Sequence, residues 1–162
     1  MIGTSLAVVK AALITALAAD ATLTSDGVKI SYGAPVVPAD LKSTDGDYEA
    51  IWLGDTAATV DVPVLTAGHL HRDEDYQLAL VVQVLKPGSR GTQQAADERA
   101  AAIFGRAELV LANNPTASIT DHARVEILVA GWDHVTGFLG NGQGHGSRFD
   151  VRLDVTARLT PS

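Results

Sequence analysis

Residues 149–159 read FDVRLDVTARL, and this unbroken alternation constrains the chain more than any other feature. Successive side chains of an extended strand point to opposite faces. Phe149, Val151, Leu153, Val155, Ala157 and Leu159 therefore share one face, and Arg148, Asp150, Arg152, Asp154, Thr156 and Arg158 share the other. A strand of this kind belongs to an antiparallel sheet with one oily and one hydrated side, and the oily side needs a covering layer. The alternating Arg and Asp predict cross-strand ion pairs with Arg124 and Glu126, each contributing a few tenths to ~1 kcal/mol. A neighbouring strand is expected over 123–135, joined to 147–159 by the glycine-rich loop 137–146, GFLGNGQGHG.

Residues 76–85 give the next clear strand, with Tyr76, Leu78, Leu80, Val82 and Val84 on one face. Its other face, Gln77, Ala79, Val81, Gln83 and Leu85, is also largely apolar, which predicts a central place in the sheet with both sides at least partly covered. Pro87-Gly88-Ser89 ends it. Two segments supply the covering layer. Thr4 or Ser5 caps a helix reaching residue 19, with Leu6, Val9, Leu13, Ala16 and Leu17 on one face and Val8 and Ile14 off it. A helix so apolar around its circumference is expected to be deeply buried or covered by a neighbouring subunit. Thr92 caps a second helix to residue 113, with Ala96, Ala100, Ile103, Ala107 and Val110 as its buried stripe and Asp97 and Glu98 near its positive end. A short strand over 28–32 and a hairpin of 48–53 with 58–65, turning at Gly54-Asp55, complete the elements. The predicted fold is α+β: a mostly antiparallel sheet, two main helices packed on one face, and a β-hairpin extension, in a single domain over 1–162.

Composition removes several function classes. Cysteine is absent, which excludes disulfide scaffolds, thiolate zinc sites and thiol nucleophiles. The net charge of −7 argues against recognition of nucleic acid or anionic membrane. The most apolar run, 6–19, is broken by Lys10 and Thr15 and is shorter than the about 20 residues a spanning helix needs. Without a basic stretch before it, it reads as a mature helix and not a secretory signal. Nine carboxylates between Asp40 and Asp75 face only Lys42 and Arg72, a pattern expected of a hydrated, loop-rich edge.

Catalytic constellations are sparse. His69, His71 and Asp73, followed by Asp75, alternate and would share one face of an extended chain, the arrangement a divalent metal needs. A third ligand at a characteristic spacing does not accompany them, so surface histidines on a solvated loop are expected, with no metal and no cofactor. His122, His134 and His145 lie near expected turns or strand ends and read as exposed. A GxSxG elbow is absent. The glycine-rich 137–146 is followed by a strand and lacks the Walker lysine, so it reads as a flexible hairpin loop and not a phosphate cradle, the alternative being a loop that orders on contact with a partner. Trp52, Trp132 and Phe138 read as core or interface anchors. The chain is not expected to be an enzyme; the competing reading from another class is a metal-dependent hydrolase using His69, His71 and Asp73.

In order, the phrases SLAVVKAALITALAA, GVKISYGAP, YEAIWLGD, RDEDYQLALVVQV, QQAADERAAAIFGRAELVLANN and FDVRLDVTARL resemble the tail terminator family of long-tailed, siphovirus-like bacteriophages. The resemblance covers nearly the whole length and rests on the order of elements. It implies a structural virion protein whose helix-on-sheet subunits form a ring of six on the tail tube. That ring stops tube polymerisation and offers the surface for head–tail joining. The implied partners are further copies of the chain, the tail tube protein and head–tail connector or neck proteins, with no direct nucleic-acid recognition, membrane or cofactor. The implied location is the head-proximal end of the virion tail, after assembly in the host cytoplasm. Another neck or head–tail connector protein is the nearest alternative. No family motif falls on particular residues. Candidate assembly contacts follow from surplus apolar surface, the acidic corner and the loop: Leu6, Val8, Ile14, Asp73, Glu74, Asp75, Val81, Phe138, Leu139 and Arg148.

Overall fold

The computed structural model describes residues 4–36, 46–60, 64–66, 69–88, 91–120, 124–138 and 144–159, with backbone alone at 58–60, 64–66, 69–71 and 138. The elements run α1 (Leu6–Ala18), α2 (Ala21–Ser25), β1 (Lys29–Ser31), β2 (Tyr48–Val60), β3 (Val64–Thr66), β4 (His69–Pro87), α3 (Gln93–Asn113), β5 (Arg124–Phe138) and β6 (Gly144–Leu159). The sheet order is β1-β2-β4-β6-β5, with β3 paired to β4. Among the described residues only the β1–β2 pairing is parallel. The α+β class, the largely antiparallel sheet and the two helices on one face are as the sequence predicts.

The alternation on β6 and β4 explains where the core sits. These strands pair from Arg72↔Leu159 to Pro87↔Gly144, so their apolar rows lie side by side. Tyr76, Leu78, Leu80, Val82 and Val84 of β4 and Phe149, Val151, Leu153, Val155 and Ala157 of β6 form the floor of one buried cluster. Val9, Leu13 and Leu17 of α1 and Ala100, Ile103, Phe104, Ala107 and Leu111 of α3 form its roof. Alanines let α3 approach the sheet closely. Val110, expected on its stripe, is only partly buried, and Phe104 and Leu111 take that place. A smaller cluster on the opposite face, Tyr48, Ala50, Trp52, Val81 and Leu85, accounts for the second apolar face of β4.

Several expectations need correction. Gly54-Asp55 is not a turn: β2 runs through it, and the register slips between Leu53↔Leu80 and Thr56↔Leu78, so two residues oppose Ala79. This is a β-bulge. A Cβ on Gly54 would come within 3.3 Å of the Ala79 Cβ, which is why glycine suits the bulge. The hairpin extension exists, but its arms are β3 and β4, paired from Val64↔His71 to Thr66↔His69. The loop after β5 is also narrower than expected, because Gly137↔Gly146 and Phe138↔His145 are ladder pairs.

The hydrated face of β6 finds other partners than Arg124 and Glu126. Arg124 lies opposite Arg158 and Glu126 opposite Thr156, and the two pair with each other at 2.9 Å. Arg158 instead grips Asp73 of β4 through Nε and Nη2, at 2.7 and 2.8 Å. The acidic stretch is likewise less free than it reads. Asp47 meets Lys86 at 2.6 Å, and Arg99 of α3 holds Glu49 at 2.7 Å and Asp26 at 3.2 Å.

Two carboxylates fasten the helical layer. Asp20 accepts from the Thr22 and Leu23 amides as the cap of α2, and its oxygens also take Arg106 of α3, with Nη2 at 2.6 Å. The hydrogen bond from Arg106 holds its carboxyl below the ordinary value of 3.8. Glu74 shares the parity of the core-facing residues of β4 and is buried, 2% exposed. Its Oε2 accepts from the Ser5 amide (2.9 Å), the Ser5 hydroxyl (2.8 Å) and the Thr4 hydroxyl (3.2 Å), while Arg72 lies 3.0 Å from Oε1. Ser5 stands at the N-cap position of α1 but makes no cap bond of its own. The carboxylate does that work, placed where the helix dipole favours an anion. Tyr76 closes the group, its hydroxyl 3.2 Å from Ser5 Oγ, and burial pushes its pKa up to about 12.

Glu74→Ala leaves the Ser5 amide without its acceptor and Arg72 without its opposite charge, and is expected to cost about 3 kcal/mol in urea unfolding, more than Glu74→Gln. Because the folded-state pKa of Asp20 is lowered, its stabilisation is complete above pH 3.8 and disappears as pH falls through the folded value below it. Asp20→Asn should therefore melt lower than the native chain at pH 7, with the gap closing below pH 3.8 when melting is followed by circular dichroism.

Candidate assembly surface

Burying Val9, Leu13 and Leu17 fixes which side of α1 looks outward, and that side carries Ala7, Val8, Ala11, Thr15 and Ala18. None is charged. The Thr15 hydroxyl is returned to the Ala11 carbonyl at 2.9 Å. Lys10 swings aside, with Nζ 3.4 Å from the Gly54 carbonyl and over the Tyr32 ring. A helix facing only water normally shows a charged outer stripe, as α3 does with Glu98 and Glu108.

The sheet has two unequal boundaries. On one side β1 is three residues long. On the other, β5 is fifteen residues long and, among the described residues, pairs with β6 alone. Its register slips between Val129↔Leu153 and Gly131↔Arg152, and this second bulge exchanges the faces. Before it, Val125, Ile127 and Val129 look toward the helices; beyond it, Trp132 and His134 do so, opposite Val151 and Phe149. Trp132 packs edge-on against Phe149 and Phe104, with centroids 5.4 and 6.4 Å away, yet remains 53% exposed. Leu128 and Val135 stand equally open on the other face. An apolar edge this long is normally protected.

The expected contact residues are divided by the structure. Val8 is exposed, whereas Leu6 and Ile14 are partly buried against the core. Glu74 and Val81 are covered within the subunit, so an outward role for either is corrected. Asp73 is engaged by Arg158, and Asp75 is exposed beside a shallow groove of about 440 Å3 that Gln77 and Asp154 also line. Arg148 pairs with Asp150 at 2.8 Å and covers the Trp52 ring. Phe138 is described by its backbone alone, and Leu139 and His122 lie outside the described residues. The side chains of His69 and His71 also lie outside the description; among the described residues no three His, Asp or Glu side chains gather as metal ligands.

His134 is exposed, as expected, but it is not without partners. Its ring lies on Phe149, centroids 4.6 Å apart, and Nε2 is 2.8 Å from Ser147 Oγ and 3.3 Å from Asp97 Oδ1. Serine, histidine and aspartate thus meet, but not as a nucleophilic triad. That chemistry needs the carboxylate on one ring nitrogen and the hydroxyl on the other, whereas both approach Nε2 here, and Ser147 is only 1% exposed. The group ties the start of α3 to the β5–β6 hairpin, aided by Gln93, which donates to the Gly146 carbonyl at 2.8 Å and to Asp97 at 2.9 Å. Sequence spacing could not show this, because the bulge sets the face of His134.

No protein-family model and no curated protein sequence matches the chain.

A fluorophosphonate probe directed at activated serines is expected to leave the folded protein unmodified by mass spectrometry. Covalent attachment at Ser147 would contradict this geometry.

Proposed function

We propose that the chain is a structural subunit that assembles with copies of itself into a ring, and that this ring is the tail terminator of a long-tailed phage. The observation that carries the reading is the uncharged outward face of α1, where Ala7, Val8, Ala11 and Ala18 are exposed. Apolar surface of this kind favours a protein neighbour. Head-to-tail contacts that close by rotation give a ring, with six subunits as the resemblance implies. Capping then follows from shape: one ring face matches the end of the tail tube, and the other denies the next tube subunit an equivalent surface while remaining open to neck proteins. No bound cofactor is needed for this work. The ring would stand at the head-proximal end of the virion tail after assembly in the host cytoplasm.

Mixing the purified chain with growing tail-tube protein tests the reading. Tubes are expected to stop lengthening and to carry a ring at one end in electron micrographs. A chain that leaves tube length unchanged but binds head connectors would instead be a neck protein. Val8→Glu places a charge on the helix face and is expected to reduce ring formation at least about tenfold without altering the circular dichroism of the subunit.

A further inference from the structure

The two lateral boundaries of the sheet fit each other. Following the pairings across it, β1 and β2 run one way, β4 the other, β6 with β2, and β5 with β4. β1 and β5 are thus antiparallel. If a second copy extends the sheet in the same orientation, its β1 lies antiparallel to β5, the arrangement in which antiparallel ladders form.

Charge and face select a register. Lys29 lies opposite Ala50, whose side chain belongs to the cluster away from the helices. It rests on the Tyr48 ring with Nζ 4.6 Å from the centroid, and among the described residues it has no carboxylate partner. Asp133 projects from the same face of β5, opposite Asp150. It is exposed, and among the described residues it has no cationic partner, whereas Asp150 has Arg148. One edge therefore offers an uncompensated cation, and the other offers an uncompensated anion where a like charge faces it across the ladder. Setting Lys29 against Asp133 places Ile30 against Trp132. Both of these lie on the helix side, Ile30 half-buried and Trp132 half-exposed. The register also brings Ser31 against Gly131, again with matching faces.

We infer that β5 of one copy pairs antiparallel with β1 of the next, Asp133 facing Lys29 and Trp132 facing Ile30, so that the sheets of successive subunits join edge to edge. The contact is heterologous: each copy offers a different edge to each neighbour, which permits a closed ring. The helix α1 packs beside β1, so the same step brings the uncharged face of α1 toward the neighbour's Trp132 side. This inference rests on the ring reading only in taking the occupant of the edge to be another copy of the chain.

Paired residues in an antiparallel ladder have Cα atoms about 4.5–5.5 Å apart, within the span of a disulfide. The chain has no cysteine of its own, so a Lys29→Cys/Asp133→Cys variant oxidised with copper phenanthroline is expected to give a covalent ladder on a non-reducing gel, ending at the ring size. Each single cysteine variant should give nothing beyond a monomer band. In parallel, Asp133→Lys or Lys29→Asp should weaken assembly about tenfold or more by light scattering, through like charges across the contact. The double reversal should restore it. If the native protein assembles but the double-cysteine variant gives no ladder and the charge reversals leave assembly unchanged, the edge pairing is overturned and the capping reading stands. A ladder without any effect on tube length would do the opposite. Native protein that stays monomeric, both alone and on tube ends, with a double-cysteine variant that forms no ladder, would overturn the pairing.

Discussion

Two strands that are far apart in the chain lie next to each other at the middle of the sheet, and their shared parity governs everything attached to them. With Leu78 opposite Leu153 and Val82 opposite Phe149, a slip of one residue would turn the whole apolar row to water. The helices find their places on that row. The same parity explains the buried carboxylate: Glu74 follows Tyr76, Leu78 and Leu80 on the inner face, so burial is imposed on it, and an unpartnered charge there would be severely destabilising. The start of α1 supplies the partners. A requirement of the sheet thus becomes the anchor of a helix.

What was legible in the sequence was periodic. The row from Phe149 to Leu159, the two faces of residues 76–85 and the Thr92 cap all stand where counting by two or by 3.6 puts them. Breaks in the count were not legible. Gly54-Asp55 has the composition of a turn, but the same residues serve a bulge, and only the partner strand decides between them. Counting by two from Ile127 would place His134 on the hydrated face; the slip at Ala130 turns it inward onto Phe149. Ion pairs failed for a related reason. The alternation on β6 shows that partners are needed but not which strand brings them, and Asp73 on β4 answered for Arg158 where Arg124 and Glu126 were expected.

The surface shows the same division. That α1 has more apolar area than one face can bury follows from its composition, but the exposed positions follow from the packing of Val9, Leu13 and Leu17. Trp132 was readable as an anchor of one kind or another. Its half-open setting at the margin of the sheet, where Phe104 of α3 covers only part of the ring, depends on strand order, which no local pattern carries.

The pairing of β4 with β6 across the intervening α3 and β5 also has a consequence in time. On the ribosome, β4 is finished long before the strand that will lie against it. During that interval its apolar row has only β2 beside it and the helices above it. Contacts this distant in sequence close slowly, so the nascent chain must keep an oily strand from other chains until its neighbour is made. The charged run Arg72, Asp73, Glu74 and Asp75 at the start of that strand is well placed to act meanwhile as a guard against premature association.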